Sequence, residues 1–182
     1  MRPLVTALIL SCLAFAQEPQ FTKDGKLIPP ANYREWIFLS SGLGMTYGPA
    51  DAPPDSNPRF DNVFVSPAAY KAFLATGTWP EKTMFVLEVR SSASKGSINN
   101  GGHYQTDDFR LSAEVKDSSR FDTKWQFFTL PSNGQPGEML PKSAGCIACH
   151  SKNGAVDNTF VQFYPTLLPI AKAKGTFKSS EK

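Results

Sequence analysis

The stretch Phe109-Arg110-Leu111-Ser112-Ala113-Glu114-Val115-Lys116 decides the fold class of this chain. Apolar and polar residues alternate along its whole length. Because successive side chains of a β-strand point to opposite faces of the sheet, this period of two predicts a half-buried strand and not a helix. The polar face of that strand would carry Arg110, Ser112, Glu114 and Lys116.

Other segments predict the remaining strands of an antiparallel sheet. Apolar, aromatic-rich runs favour strands at residues 60–65, 83–90 and 125–130. Residues 94–102 are rich in Ser, Asn and Gly and favour a long hairpin loop. The prolines of residues 47–58 favour an irregular loop there.

Helices are expected at the ends of this sheet. A short helix is predicted after Asn32, and a second one over residues 68–75, between Ser66-Pro67 and Gly77. Residues 160–174 predict a closing helix that its two prolines either leave intact or break. The predicted fold class is therefore α+β, a twisted antiparallel β-sheet with flanking helices.

The segment Cys146-Ile147-Ala148-Cys149-His150 has the spacing of a c-type haem attachment site. Residues three apart on a helix share a face, so Cys146 and Cys149 can both form thioethers with one porphyrin edge. His150 would then be the proximal ligand of the iron. We therefore expect one covalently attached haem c on a C-terminal attachment helix.

Two other kinds of site use a Cys-x-x-Cys pair, and both suit this chain less well. A structural zinc site needs four nitrogen or sulfur ligands, and the motif offers three of which two are neighbours in sequence. A thioredoxin-type redox pair would open a helix in a βαβ unit, and no such alternation is visible. The only other histidine, His103, lies in the glycine-rich loop, where we expect it to be exposed and not a sixth iron ligand.

The first 16 residues have the pattern of an export signal. A basic start at Met1-Arg2 is followed by a mainly apolar run over residues 4–15 and by a small-x-small cleavage site at Ala14-Phe15-Ala16. The run is shorter than the roughly 18–20 residues of a membrane span. A lipoprotein signal ending at Cys12 is a weaker alternative. Cleavage after Ala16 would leave only the two motif cysteines, which predicts a periplasmic or secreted protein without a disulfide framework.

The length of 182 residues fits one domain. We expect a signal peptide at 1–16, a flexible lead-in at 17–30, a haem domain at 31–178 and a tail at 179–182. The formal net charge of +3 is too small to argue for a nucleic-acid or membrane-surface partner.

The position of the motif separates the classes of haem protein. Electron-carrying cytochromes c usually have it near the N-terminus with a methionine ligand downstream, whereas no Met follows His150 here. Helical-bundle cytochromes c′ need four long amphipathic helices, which 15 prolines and 13 glycines disfavour. A β-rich fold with a C-terminal haem motif remains.

Several short motifs follow one another in a specific order and spacing: Asn32-Tyr33-Arg34-Glu35-Trp36, Val65-Ser66-Pro67, Val115-Lys116-Asp117, Trp125-Gln126-Phe127-Phe128, the cysteine motif, and Asp157-Asn158-Thr159-Phe160-Val161-Gln162-Phe163-Tyr164-Pro165. In these motifs the sequence resembles the cytochrome P-460 family, which includes the β-sheet cytochromes c′, over nearly the whole mature chain. The resemblance implies a twisted antiparallel sheet with helices, one covalent haem, a proximal histidine, commonly an open distal site and often a homodimer.

Two departures make the chain more similar to the β-sheet cytochromes c′ than to the hydroxylamine-oxidising members. In those members a strand lysine is crosslinked to the porphyrin, and the resemblance places Leu87 at that position. The nearest lysines are Lys82 and Lys71. The distal carboxylate of those members falls on Ser112.

Residues around Ser112 remain candidates for proton transfer. Arg110 and Glu114 lie on the same strand face, and substrate oxidation generally needs a placed base. The alternative is that both belong to a solvent-facing polar edge.

An apolar lid over the iron is the other feature that the resemblance suggests. We expect Leu87 and Phe85 on one strand face, with Phe64 and Phe60 from a neighbouring segment, to line the distal side; the alternative is that they are ordinary core. Such a lid favours NO or CO over polar substrates, so binding of NO or a related ligand is the leading hypothesis. Oxidation of hydroxylamine or a similar nitrogen compound, and electron transfer with a partner cytochrome, are the alternatives.

Overall fold

The computed structural model describes residues 18–47 and 57–179. The expected signal peptide with Cys12, most of the proline-rich loop and the end of the tail lie outside the described residues. Within them the fold is α+β, as predicted, with a two-stranded and a five-stranded antiparallel sheet. The strands are β1 (Gln20–Phe21), β2 (Leu27–Ile28), β3 (Ile37–Leu43), β4 (Phe60–Val65), β5 (Met84–Ala93), β6 (Tyr104–Lys116) and β7 (Trp125–Leu130).

The helices are short and lie mainly after the sheet. Three are α-helices: α1 (Pro67–Thr76), α2 (Cys146–Asn153) and α3 (Leu168–Ala173). Single 3₁₀ turns occur at Tyr33–Glu35, Lys142–Ala144 and Val161–Phe163.

Several predicted elements occur at the predicted positions. Strands β4 and β7 have the predicted bounds, and α1 ends before Gly77, whose positive φ of 74° suits a residue without a Cβ. The predicted closing helix is broken into a 3₁₀ turn and α3. Pro169 lies in the first turn of α3, where a backbone N–H would have no acceptor within the helix, so its absence costs no hydrogen bond.

Residues 18–30 differ from the flexible lead-in that the sequence predicted. They form the β1–β2 hairpin, in which Leu27 is fully buried. Leu27 and Gly137 exchange two backbone hydrogen bonds, 3.0 and 2.7 Å long. The ring of Phe21 also packs against Phe121 and Phe128, so apolar burial holds this segment to the domain.

The main sheet has a core on each of its two faces. Residues from the C-terminal part of the chain, including Tyr164 and Leu167, pack on the face that carries Phe85; we call it the C-terminal face. Residues from the N-terminal part, including Leu27 and Trp36, pack on the other, N-terminal face.

A buried carboxylate, Glu88, lies on the N-terminal face. It is 1% exposed and accepts hydrogen bonds from the Tyr33 hydroxyl and Arg90 Nε, each at 2.5 Å. Arg34 Nη2 also lies 2.5 Å from it. Burial alone would raise the pKa of Glu88, but these donors and the two arginine charges hold it below its ordinary value of 4.5.

We expect Glu88→Gln to lower the free energy of unfolding by about 3 kcal/mol at neutral pH, because it leaves the Arg90 guanidinium, whose side chain is only 14% exposed, without its counter-charge. The pKa of Glu88 is lower in the folded than in the unfolded chain, so its contribution is complete above about pH 4.5 and is lost as the pH falls through the folded value. Urea unfolding at several pH values should show the difference between variant and wild type shrinking below pH 4.5. The exposed Glu138→Gln, which loses only a surface pair with Lys26, should cost at most about 1 kcal/mol at every pH; equal losses for both variants would contradict the assignment.

Candidate haem-attachment site

Helix α2 presents the two thiols of the motif. Cys146 is its first residue and Cys149 lies three positions later, so both side chains lie on one side of a single turn. Both are partly exposed and neither forms a disulfide. Their contacts are weak ones, from Cys146 Sγ to the Ala144 carbonyl at 3.7 Å and from the Asn153 amide to Cys149 Sγ at 3.6 Å. Both thiols are therefore available for thioether formation.

The imidazole of His150 is held at one nitrogen. Its Nδ1 lies 3.0 Å from the Asn158 carbonyl oxygen, to which it donates, and 3.3 Å from Oε1 of Glu114. The ring also packs against Phe127 and Phe160, with centroids 4.7 and 4.4 Å away. Because Nδ1 is occupied, Nε2 is the nitrogen that is left to bind a metal.

A tight turn positions the Asn158 carbonyl. Asp157 and Asn158 have positive φ angles of 48° and 62°, and Val156 and Thr159 pair on either side of them, which is the geometry of a two-residue hairpin turn. Asp and Asn are the residues other than Gly that most readily adopt this conformation. Asp157 and Asn158 are therefore the residue types that this turn requires to place the Asn158 carbonyl against His150 Nδ1.

Neighbouring side chains anchor this turn. The Asp157 carboxylate contacts Lys116 Nζ, which is buried, and Lys124 Nζ at 2.9 Å. On the other side Trp79 Nε1 donates to the Thr159 hydroxyl at 2.8 Å. Sheet, helix and turn are thus tied together around the imidazole.

Glu114 lies where neither sequence interpretation placed it. Its side chain is 12% exposed, so it is not part of a solvent-facing edge. It lies beside His150 Nδ1, which is the nitrogen opposite the one left for iron, and so it is not on the distal side. Burial raises its pKa above the ordinary value, and the nearby imidazole only partly offsets this.

Ser112 and Leu87 share the C-terminal face with Glu114. They are directly opposite each other in the β5–β6 register, next to the pair formed by Phe85 and Glu114. Arg110 follows on the same face, opposite Val89, and its side chain is exposed.

The aromatic residues expected on the distal side are separated. Phe64 and Phe60 pair with Val86 and Arg90 of β5 and therefore lie on the N-terminal face, away from Leu87. Phe85 does share the face of Leu87, but it is 4% exposed and packs within the core among three aromatic rings: Trp79, Trp125 and Tyr164. The β4 residue beside Leu87 is Val63, whose position the sequence interpretation did not single out.

The residues described above fit a haem better than a protein-only metal site. Across residues 18–47 and 57–179 no group of three or more His, Cys, Asp and Glu side chains is arranged to bind a metal ion. A haem needs only one protein nitrogen and, for covalent attachment, two thiols on one helix turn, which α2 supplies. His150, with Nδ1 engaged and Nε2 left, is suited to the axial position.

The chain matches the model of a known protein family. A family model described as Cytochrome P460 matches residues 30–161, well over half of the chain, from before β3 to beyond α2. No curated protein matches the chain. Within the part of the chain that the structure describes, no helix has the length and apolar character that crossing a membrane requires.

Proposed function

Because the chain belongs to the cytochrome P460 family, whose members bind haem, we propose that it is an exported mono-haem c-type cytochrome. Its proposed activity is binding of NO or a related small ligand. Cys146 and Cys149 hold the haem as thioethers, and His150 provides the proximal ligand through Nε2. The haem supplies an iron whose sixth position accepts a diatomic ligand.

The observation that carries this proposal is the pairing of Leu87 with Ser112 beside Glu114 on the C-terminal face. Leu87 has no nucleophilic atom and cannot form a porphyrin crosslink, and Ser112 is not a base at neutral pH. Lys82 contacts Asp117 at the start of β5, roughly 17 Å along the strand from Leu87. Leu87 and its β4 neighbour Val63 are both apolar, and this pair supports binding of a small neutral ligand.

The location of His103 supports an open sixth position. It is the last residue of the loop between β5 and β6, and its Nδ1 lies 3.4 Å from the Ser92 hydroxyl. Ser92 is five residues beyond Leu87, again roughly 17 Å along β5. His103 is the only other histidine of the chain, so no second imidazole is placed to close the site.

We expect the ferrous protein to be high-spin and to change its absorption spectrum when NO is added. Titration with NO, monitored in the Soret region, measures this. A low-spin, six-coordinate spectrum that NO leaves unchanged would contradict the proposal. His103→Ala serves as the matched control: its titration should superimpose on that of the wild type, whereas a gain of high-spin iron in this variant would identify His103 as a sixth ligand.

Oxidation of hydroxylamine or a similar nitrogen compound is the second candidate. It is favoured by one observation, the exposed Arg110 two positions from Ser112 on the same face. Glu114, beside His150 Nδ1, is poorly placed to accept a proton from a distal substrate. Consumption of hydroxylamine with an artificial electron acceptor, together with an intact mass that reveals a crosslink, would favour this function over gas binding.

Export and assembly complete the proposal. We propose that residues 1–16 are cleaved, that the mature protein is released into the periplasm or outside the cell, and that it forms a homodimer. Electron transfer to a partner cytochrome is the third function class, and it would require rapid electron exchange between the two proteins. Mass spectrometry of the mature protein tests the cleavage, light scattering tests the homodimer, and stopped-flow mixing with a small cytochrome tests electron transfer.

A further inference from the structure

The Glu114 carboxylate lies in an apolar setting. Its cross-strand neighbours are Phe85 on β5 and Phe127 on β7. Its Oε1 is buried and accepts no well-formed hydrogen bond within residues 18–47 and 57–179. No Lys or Arg of these residues forms an ion pair with it; the one basic side chain within 4 Å of the carboxylate is that of His150, at 3.3 Å.

Burial of a carboxylate without a counter-charge is unfavourable, and an apolar residue at this position would pack between the two phenylalanine rings at no such cost. The carboxylate is aimed at the Nδ1–H of the proposed iron ligand. That N–H already donates to the Asn158 carbonyl, which is enough to orient the ring. Glu114 therefore places a carboxyl group, with its negative charge when it is ionised, beside an imidazole that is already oriented.

We propose that Glu114 is a positioning residue that acts on the iron through His150, by making the imidazole a stronger donor. This inference rests on the proposed attachment of haem by the motif in α2. A carboxylate 3.3 Å from Nδ1 would raise the basicity of the other ring nitrogen, and a more basic ligand favours the more highly charged ferric iron. The same contact would strengthen the bond between His150 and the iron, so that His150 would stay bound when NO binds.

The test is a comparison of Glu114→Gln with wild-type holoprotein. Gln keeps the shape and an acceptor oxygen but has no charge. At a fixed potential we expect the ferric-to-ferrous ratio of the variant to fall about tenfold, which corresponds to a midpoint about 59 mV higher for one electron. The iron–histidine stretching frequency of the ferrous protein, measured by resonance Raman, should fall as well, and the ferrous NO adduct should lose its histidine ligand.

Asp107→Asn is the matched control, because it removes the same charge from an exposed position of β6, roughly 24 Å along the strand. It should change neither the ratio nor the frequency. Glu114→Asp keeps the carboxyl group but moves it away from His150, because its side chain is one methylene shorter. A ratio and a stretching frequency between those of wild type and Glu114→Gln, or shifted in the same direction if Glu114→Gln fails to fold, would support the proposal.

Two negative outcomes are distinguishable. Wild-type protein that binds no haem overturns the proposed function and this inference together. Wild-type protein with covalent haem, whose ratio and stretching frequency are the same in Glu114→Gln or Glu114→Asp, overturns only the role of Glu114 and makes it a packing residue.

Discussion

Replacing both Cys146 and Cys149 with alanine is expected to abolish covalent haem attachment completely. Both thiols are partly exposed on one turn of α2 and have no disulfide partner, so the porphyrin would lose both of its covalent links. Haem staining after denaturing electrophoresis and intact mass measurement report the loss directly. Retention of haem through denaturation in the double variant would show that another residue forms the link.

Single variants separate attachment from ligation. Cys146→Ala and Cys149→Ala should each keep one thioether and remain stained. His150→Ala should keep both thioethers, but the iron spectrum should change because the axial nitrogen is missing. Loss of stain in His150→Ala as well would mean that the motif is needed for attachment as a whole.

Gly154→Ala is expected to cause the second largest effect, because a Cβ at this position has no room. It would lie 2.5 Å from the Asn158 carbonyl carbon and 2.7 Å from the His150 carbonyl oxygen, both of them backbone atoms. The φ of −71° is open to alanine, so the penalty is purely steric. The turn must move away from α2, and the carbonyl that accepts from His150 Nδ1 moves with it.

We expect this variant to lose about 2–3 kcal/mol of stability, seen as a fall in Tm of about 4–12 °C. Its haem spectrum should show a heterogeneous axial ligand. Gly101→Ala is the control, since a Cβ there meets nothing within 4 Å. A normal Tm and spectrum in Gly154→Ala would show that the contact between helix and turn is not needed to orient the imidazole.

The strands that the sequence predicted best are those with strong local signals. β4 and β7 are aromatic-rich runs bounded by breaker residues, and their bounds were predictable from these alone. β3 was missed because its second half, Ser40-Ser41-Gly42, has no apolar periodicity. Pairing with β4 is what makes it a strand, and that partner lies about twenty residues later in the chain.

Some residues of the candidate site could likewise be predicted from a local signal, and others could not. The motif gave Cys146, Cys149 and His150 from spacing alone. The placement of Phe60 and Phe64 depended on whether odd or even positions of β4 face the haem motif, and a shift of one residue in register reverses that answer. The burial of Glu114 could not be read from alternation, because the polar side of β6 is covered by residues that come forty or more positions later.

The main sheet is a meander, in which each strand pairs with the next one in the chain. Each pairing therefore joins consecutive strands, and among the described residues the sheet takes no strand from beyond Leu130. The last strand ends at Leu130, before the chain reaches Cys146. In the export that we propose, the five strands would emerge before the two thiols. The thioethers would then form on a late segment of the chain, while residues that complete the core of the C-terminal face, among them Tyr164 and Leu167, are still to follow.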